Sequence, residues 1–162
     1  LGPLVNPLRP SFQVLGVAKK ELVEPMADAL LQMGLKRAVV VHGAGGLDEA
    51  SLDGPNHIRL LENAQVKSCS IDASDLGLTP SPISALKGGE LIENKKILIS
   101  VLQGQGTNPQ REVVALNTAL ALWAAGLQDD LKVGVSTALS CLDEGRPWQR
   151  LEDLRKALQP GL

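Results

Sequence analysis

The segment His42-Gly43-Ala44-Gly45-Gly46-Leu47-Asp48-Glu49 holds the residues best placed to do chemistry, two adjacent carboxylates behind a glycine-rich turn. It follows Arg37 to His42 (RAVVVH), a continuous apolar run too short for a helix, which reads as a buried strand. Loops at the carboxyl ends of strands are where α/β proteins place their ligands. The glycines suggest a dinucleotide loop, but that fingerprint needs a third small residue where Asp48 stands, with a helix following at once. Two neighbouring carboxylates repel a bare phosphate, whereas a divalent cation between them reverses the sign of the interaction. The pattern therefore points to Mg²⁺ held by Asp48 and Glu49 against a phosphorylated substrate, or, more plainly, to two acids favouring the start of a short helix.

The remaining polar residues read as structural. His42, at a strand end and without an assignable carboxylate, fits a hydrogen-bonded structural histidine better than a general base. Asn94 and Asn117 fall inside helical patterns, where they either face a site or, more commonly for buried asparagines, bond backbone groups. Cys69 and Cys141 lie outside any metal-binding spacing and read as small hydrophobes.

These loops need a framework, and the chain supplies the pattern for one. Phe12 to Val17 predicts a strand, Glu21 to Met33 a helix closed by Gly34, and Arg37 to His42 a second strand, together a parallel crossover unit. His57 to Leu61 and Val66 to Ile71 predict an antiparallel hairpin, an excursion from that unit. From Pro82 onward four helices are expected, one capped by Asn108-Pro109 and one opened by Arg146-Pro147. In the last of them Trp148, Leu151, Leu154 and Leu158 share a face opposite a Glu152–Lys156 pair. The class is α/β, with a partial parallel sheet. So few strands leave FQVLGV and RAVVVH short of neighbours, and the sheet is expected to be incomplete without an upstream half.

Composition narrows the function classes. Of 162 residues, 44% are hydrophobic and 21% charged, which excludes intrinsic disorder and suits a single domain. Aromatic residues are only 2%, so base-stacking platforms cannot be built, and a net charge of −2 offers no basic stripe for nucleic acid. No membrane-spanning run or signal peptide is present, and a soluble, cytoplasmic protein is expected. The opening LGPLVNPLRP, with three prolines in ten residues, excludes a helix there and reads as the middle of a longer polypeptide.

Several segments together resemble one family. LGPLVNP at 1–7, LVEPMADAL at 22–30, VVHGAGGLDEASLDGP at 40–55, LKGGELIEN at 86–94 and VALN at 114–117 are similar, in order and spacing, to anthranilate phosphoribosyltransferase. The resemblance implies that residues 1–162 are the C-terminal portion of that enzyme's large α/β domain, the N-terminal helical domain being absent. It implies transfer of a phosphoribosyl group from phosphoribosyl pyrophosphate to anthranilate in tryptophan biosynthesis, with Mg²⁺ on the diphosphate and a homodimer as the full-length state. It places Asp48 and Glu49 at the metal, and Gly2, Pro3 and Asn6, from the GPLxNP segment, beside the acceptor. The family's GTGGD loop, KHGNR-type segment and anthranilate-side arginine lie upstream of these segments, so this chain alone is expected to be inactive. A pyrimidine nucleoside phosphorylase fragment and a noncatalytic scaffold are the competing readings.

Overall fold

The computed structural model describes residues 2–158, Pro3 by its backbone alone. Strands β1 (Phe12–Gly16), β2 (Arg37–His42), β3 (Asn56–Glu62) and β4 (Gln65–Ile71) form one mixed sheet in sequential order. β1 and β2 are parallel, from Phe12↔Arg37 to Gly16↔Val41, and β3 and β4 follow antiparallel. A three-residue 3₁₀ turn leads into helix α1 (Val23–Gln32), which makes the crossover between β1 and β2; Pro25 sits in its first turn, where a missing N–H costs nothing. Helices α2 (Leu91–Leu102), α3 (Asn108–Ala124), α4 (Leu131–Asp143) and α5 (Arg146–Ala157) complete the expected four.

The hairpin is no excursion. β3 pairs with β2 from Arg37 to His42, so RAVVVH has a neighbour on each side, and of the two parallel strands only β1 keeps an open edge among the described residues. The expectation that both parallel strands lack partners is thus corrected for β2 and holds for β1. The faces are also covered from within the chain. Alternate residues of β2 point to opposite sides: Ala38 and Val40 pack with Val23, Ala27 and Leu30 around α1, while Val39 and Val41 pack with Leu116, Leu120 and Trp123 around α3. α4 lies close against α3 because Gly134 faces Ala119; a Cβ on Gly134 would come within 3.1 Å of the Ala119 methyl.

Smaller departures have local causes. Residues Gly2–Val5 form a 3₁₀ turn despite the prolines, since Pro3 falls where no backbone N–H is needed. Helix α3 is capped by Thr107 rather than Asn108, in a capping box with Gln110; α5 begins after Gly145 in the left-handed region. Glu152 bonds Arg155 at 2.8 Å instead of pairing with Lys156. The apolar stripe of α5 exists, but Leu151, Leu154 and Leu158 are exposed.

Candidate functional site

β1 and β2 run in the same direction and end side by side, and the loop that follows β2 folds back across both ends. Gly43 N–H donates to the Leu47 carbonyl at 2.9 Å and Gly46 N–H to the Gly43 carbonyl at 3.1 Å, closing the turn. Gly45 and Gly46 occupy the left-handed region, with φ of 79° and 85°, which only glycine enters freely. The returning backbone then rests on two more glycines. A Cβ on Gly16 would lie 1.6 Å from the Asp48 carbonyl oxygen, and one on Gly43 would lie 2.0 Å from that of Glu49. These positions need hydrogen because main chain packs directly on main chain.

Beyond the acids the loop is held by amide side chains. The Ala50 N–H donates to Asn117 Oδ1 at 2.9 Å, and Asn117 Nδ2 donates back to the Ala50 carbonyl at 2.9 Å and to the Val113 carbonyl at 3.0 Å. Six residues on, the fully buried Asn56 accepts from Ser51 N–H at 2.7 Å and donates to the carbonyls of Ser51, Gly54 and Ile71. A third anchor comes through α3, where the buried Glu112 accepts from Thr79 N–H at 2.8 Å, Thr79 Oγ1 and Asn108 Nδ2. This fixes the segment from which Ile83 packs against Gly45.

Asp48 and Glu49 themselves are exposed and, among the described residues, have no ion-pair or hydrogen-bond partner for their carboxylates. No helix starts at them, since residues 47–55 contain none, so the helix-start reading is corrected. His42 is structural, as expected: its Nδ1–H donates to the Val17 carbonyl at 2.8 Å and joins the ends of β1 and β2. His57 stacks on it at 6.4 Å between ring centroids. Burial, then the neighbouring charges of Lys20, His42 and Arg59, hold the His57 imidazole below its ordinary pKa. Asn94 bonds the Gly89 backbone, and Cys69 packs against the core with its thiol pKa pushed up by burial.

Asn6 lies elsewhere, a residue beyond the 3₁₀ turn that holds Gly2. Asn6 Oδ1 accepts from Leu8 N–H at 3.0 Å and lines a 480 Å³ cavity with Ser11, Gln13 and Leu35, at the amino ends of β1 and β2. That is the far end of the strands from the acid pair, about 16 Å along five extended residues. Glu49 and Asn117 instead line a 690 Å³ groove between α2 and α3, which shares no lining residue with the Asn6 cavity. The described residues thus gather Asp48, Glu49 and Asn117, and leave Asn6 apart from them.

The family model described as "Glycosyl transferase family, a/b domain" matches residues 1–147. The chain belongs to this glycosyl transferase family. This glycosyl transferase domain is 70% identical over 158 residues to an anthranilate phosphoribosyltransferase of Prochlorococcus marinus (strain MIT 9313), covering 98% of this chain and 45% of that protein. It is 63% identical over 159 residues to the enzyme of the same name from Synechococcus sp. (strain CC9311), covering 98% of this chain and 46% of the relative. Among solved structures, anthranilate phosphoribosyltransferase from Thermus thermophilus superposes with a TM-score of 0.85 at 36% identity, over 94% of this chain and 44% of that one. The Saccharomyces cerevisiae enzyme in complex with PRPP and Mg superposes with a TM-score of 0.81 at 30% identity, over the same shares of the two chains. The glycosyl transferase chain therefore spans under half the length of the relatives it matches. Among the described residues, no helix is long and apolar enough to cross a membrane.

Sequence reasoning about this glycosyl transferase domain missed Gly16 and Gly43 as seats for the acid loop. Their signal was present only as glycines at strand ends, without the backbone that lies over them.

Proposed function

We propose that this chain is the C-terminal portion of the large α/β domain of an anthranilate phosphoribosyltransferase. The intact enzyme moves the phosphoribosyl group of phosphoribosyl pyrophosphate to the amine of anthranilate and releases pyrophosphate, a step of tryptophan biosynthesis in the cytoplasm. The observation that carries this reading is the 70% identity to a protein of that name over 158 residues, nearly the whole chain. Full-length protomers pair as a homodimer in this reading.

Asp48 and Glu49 are the residues that would hold Mg²⁺. They fit it: two hard, exposed, otherwise unpartnered carboxylates stand at the carboxyl end of a parallel strand pair. Among the described residues no cluster of three or more His, Cys, Asp or Glu suits a metal, so an ion here relies on water and substrate oxygens for the rest of its shell, as Mg²⁺ commonly does. A Mg²⁺ held by these carboxylates would supply positive charge against the diphosphate leaving group. The chain's own residues supply position. The glycine turn and the close seats at Gly16 and Gly43 bring the acid-bearing backbone to the strand ends, while His42 holds those ends together. The acceptor-side role of Gly2, Pro3 and Asn6 is supported by the resemblance of their segment alone.

The test is a Mg²⁺ titration of the intact enzyme at fixed phosphoribosyl pyrophosphate. Asp48→Asn with Glu49→Gln is expected to preserve the fold, lower turnover by orders of magnitude and raise the Mg²⁺ needed for half-maximal rate. An unchanged Mg²⁺ dependence would overturn the metal assignment. Phosphoribosyl transfer by residues 1–162 alone would overturn the requirement for the upstream half.

A further inference from the structure

The amide of Asn117 reaches across from α3 to the loop and clamps the peptide groups on both sides of Ala50, the residue next to Glu49. Its donor and its acceptor are both engaged, each at 2.9 Å, and its remaining N–H closes onto the Val113 carbonyl within its own helix. A side chain that only satisfied its own helix would need none of the loop contacts. The backbone just before Ala50 rests on Gly16 at Asp48 and on Gly43 at Glu49, so the acids are seated on glycines and followed at once by the amide clamp. Asp48 and Glu49 gain no fixation from their own carboxylates, which have no partners among the described residues. Their orientation comes from the backbone, which the glycine turn and its seats carry to the strand ends and which Asn117 clamps at Ala50.

We infer that Asn117 is a positioning residue for the metal-binding carboxylates: it fixes the Glu49–Ala50 backbone so that the acid pair presents its oxygens to one cation. The inference rests on the assignment of Asp48 and Glu49 to Mg²⁺. Asn117 does not touch the ion; it acts through the peptide that carries Glu49. Groups one shell removed from a metal typically change its affinity by about 10–100-fold when altered, and a backbone clamp acting through one residue belongs at the lower end of that range.

The experiment titrates Mn²⁺, as a paramagnetic probe, into the intact enzyme with inorganic pyrophosphate present, and follows the free ion by electron paramagnetic resonance. Asn117→Leu, close in volume and unable to bond, is expected to bind Mn²⁺ about tenfold more weakly than the parent. In the metal-free protein its Ala50 amide should exchange with solvent markedly faster. Leu142→Ala, in the core of α4, controls for lost stability and should lower the melting temperature without altering Mn²⁺ binding. Parent-like Mn²⁺ affinity in Asn117→Leu, with only a lowered melting temperature, would overturn the inference. Asn117→Ser can make at most part of the clamp; it is judged by the same criteria if the leucine variant does not fold. Asp48→Asn with Glu49→Gln separates the two layers. If that pair leaves Mn²⁺ binding intact, the metal assignment itself fails; if it abolishes binding while the Asn117 variants do not weaken it, only the positioning role fails.

Discussion

Gly16, the last residue of β1, lies directly under the carbonyl of Asp48, with no room for a methyl group between them. Gly16→Ala must lift the acid loop or bend the strand end. Overpacking of this kind costs about 1–3 kcal/mol. Denaturant unfolding of the variant is expected to register that loss, and the intact enzyme should need more Mg²⁺ for half-maximal rate. Parent-like values for both would mean that the loop yields without consequence.

Asn56 carries four hydrogen bonds at zero exposure and ties the loop after the acid pair to the end of β4. Asn56→Leu leaves the Ser51 N–H and three carbonyls without that partner. Each unsatisfied buried group costs about 1–3 kcal/mol, and a summed loss of about 3 kcal/mol or more is expected. Equilibrium unfolding in urea measures it directly; a loss under about 1 kcal/mol would show that water replaces the amide at little cost.

The hairpin between β3 and β4 turns through Asn63 and Ala64, with φ of 53° and 55°. Alanine in this left-handed region is disfavoured by about 1–2 kcal/mol relative to glycine, part of which glycine returns through its freer unfolded chain. Ala64→Gly should therefore raise stability by about 0.5–1 kcal/mol. A lower melting temperature in a thermal scan would contradict this.

His57 has its pKa held below the ordinary value of 6.5 in the fold, chiefly by burial and then by Lys20, His42 and Arg59. The unfolded chain then binds more protons than the folded one as pH falls past 6.5, so stability declines on acidification and recovers as pH rises through that window. His57→Gln should flatten the dependence between about pH 5 and 7. An unchanged slope in paired unfolding curves would assign it to other groups.

The open edge of β1 and the doubly paired β2 should separate in hydrogen exchange. Amides of Ala38 to Val41 are expected to exchange slowly and those of β1 faster. Equal protection would mean that β1 finds a further partner in solution.

Local signals carried the elements well. The continuous apolar run of β2, the 3.6-residue period of α1 and the glycine stops each act within a few residues, and each yielded its element within one or two positions. The partner of β2 was not legible, because nothing local to Arg37–His42 says that a hairpin 14 residues later returns to its free edge. The acid pair was legible as chemistry, since carboxylate identity needs no coordinates. Its surroundings were not. Asn117 read rightly as an asparagine that bonds backbone, but which backbone is a long-range fact, and the close seats at Gly16 and Gly43 exist only once the loop is over them.

The clamp on Ala50 comes from 67 residues further along the chain. During synthesis the glycine turn and the acids leave the ribosome well before α3 does, and contacts of such separation close late because the intervening chain must first be ordered. The acid loop thus takes its final form only after the helical layer behind it has docked, and a truncated product ending before Asn117 would carry both carboxylates without the geometry to use them.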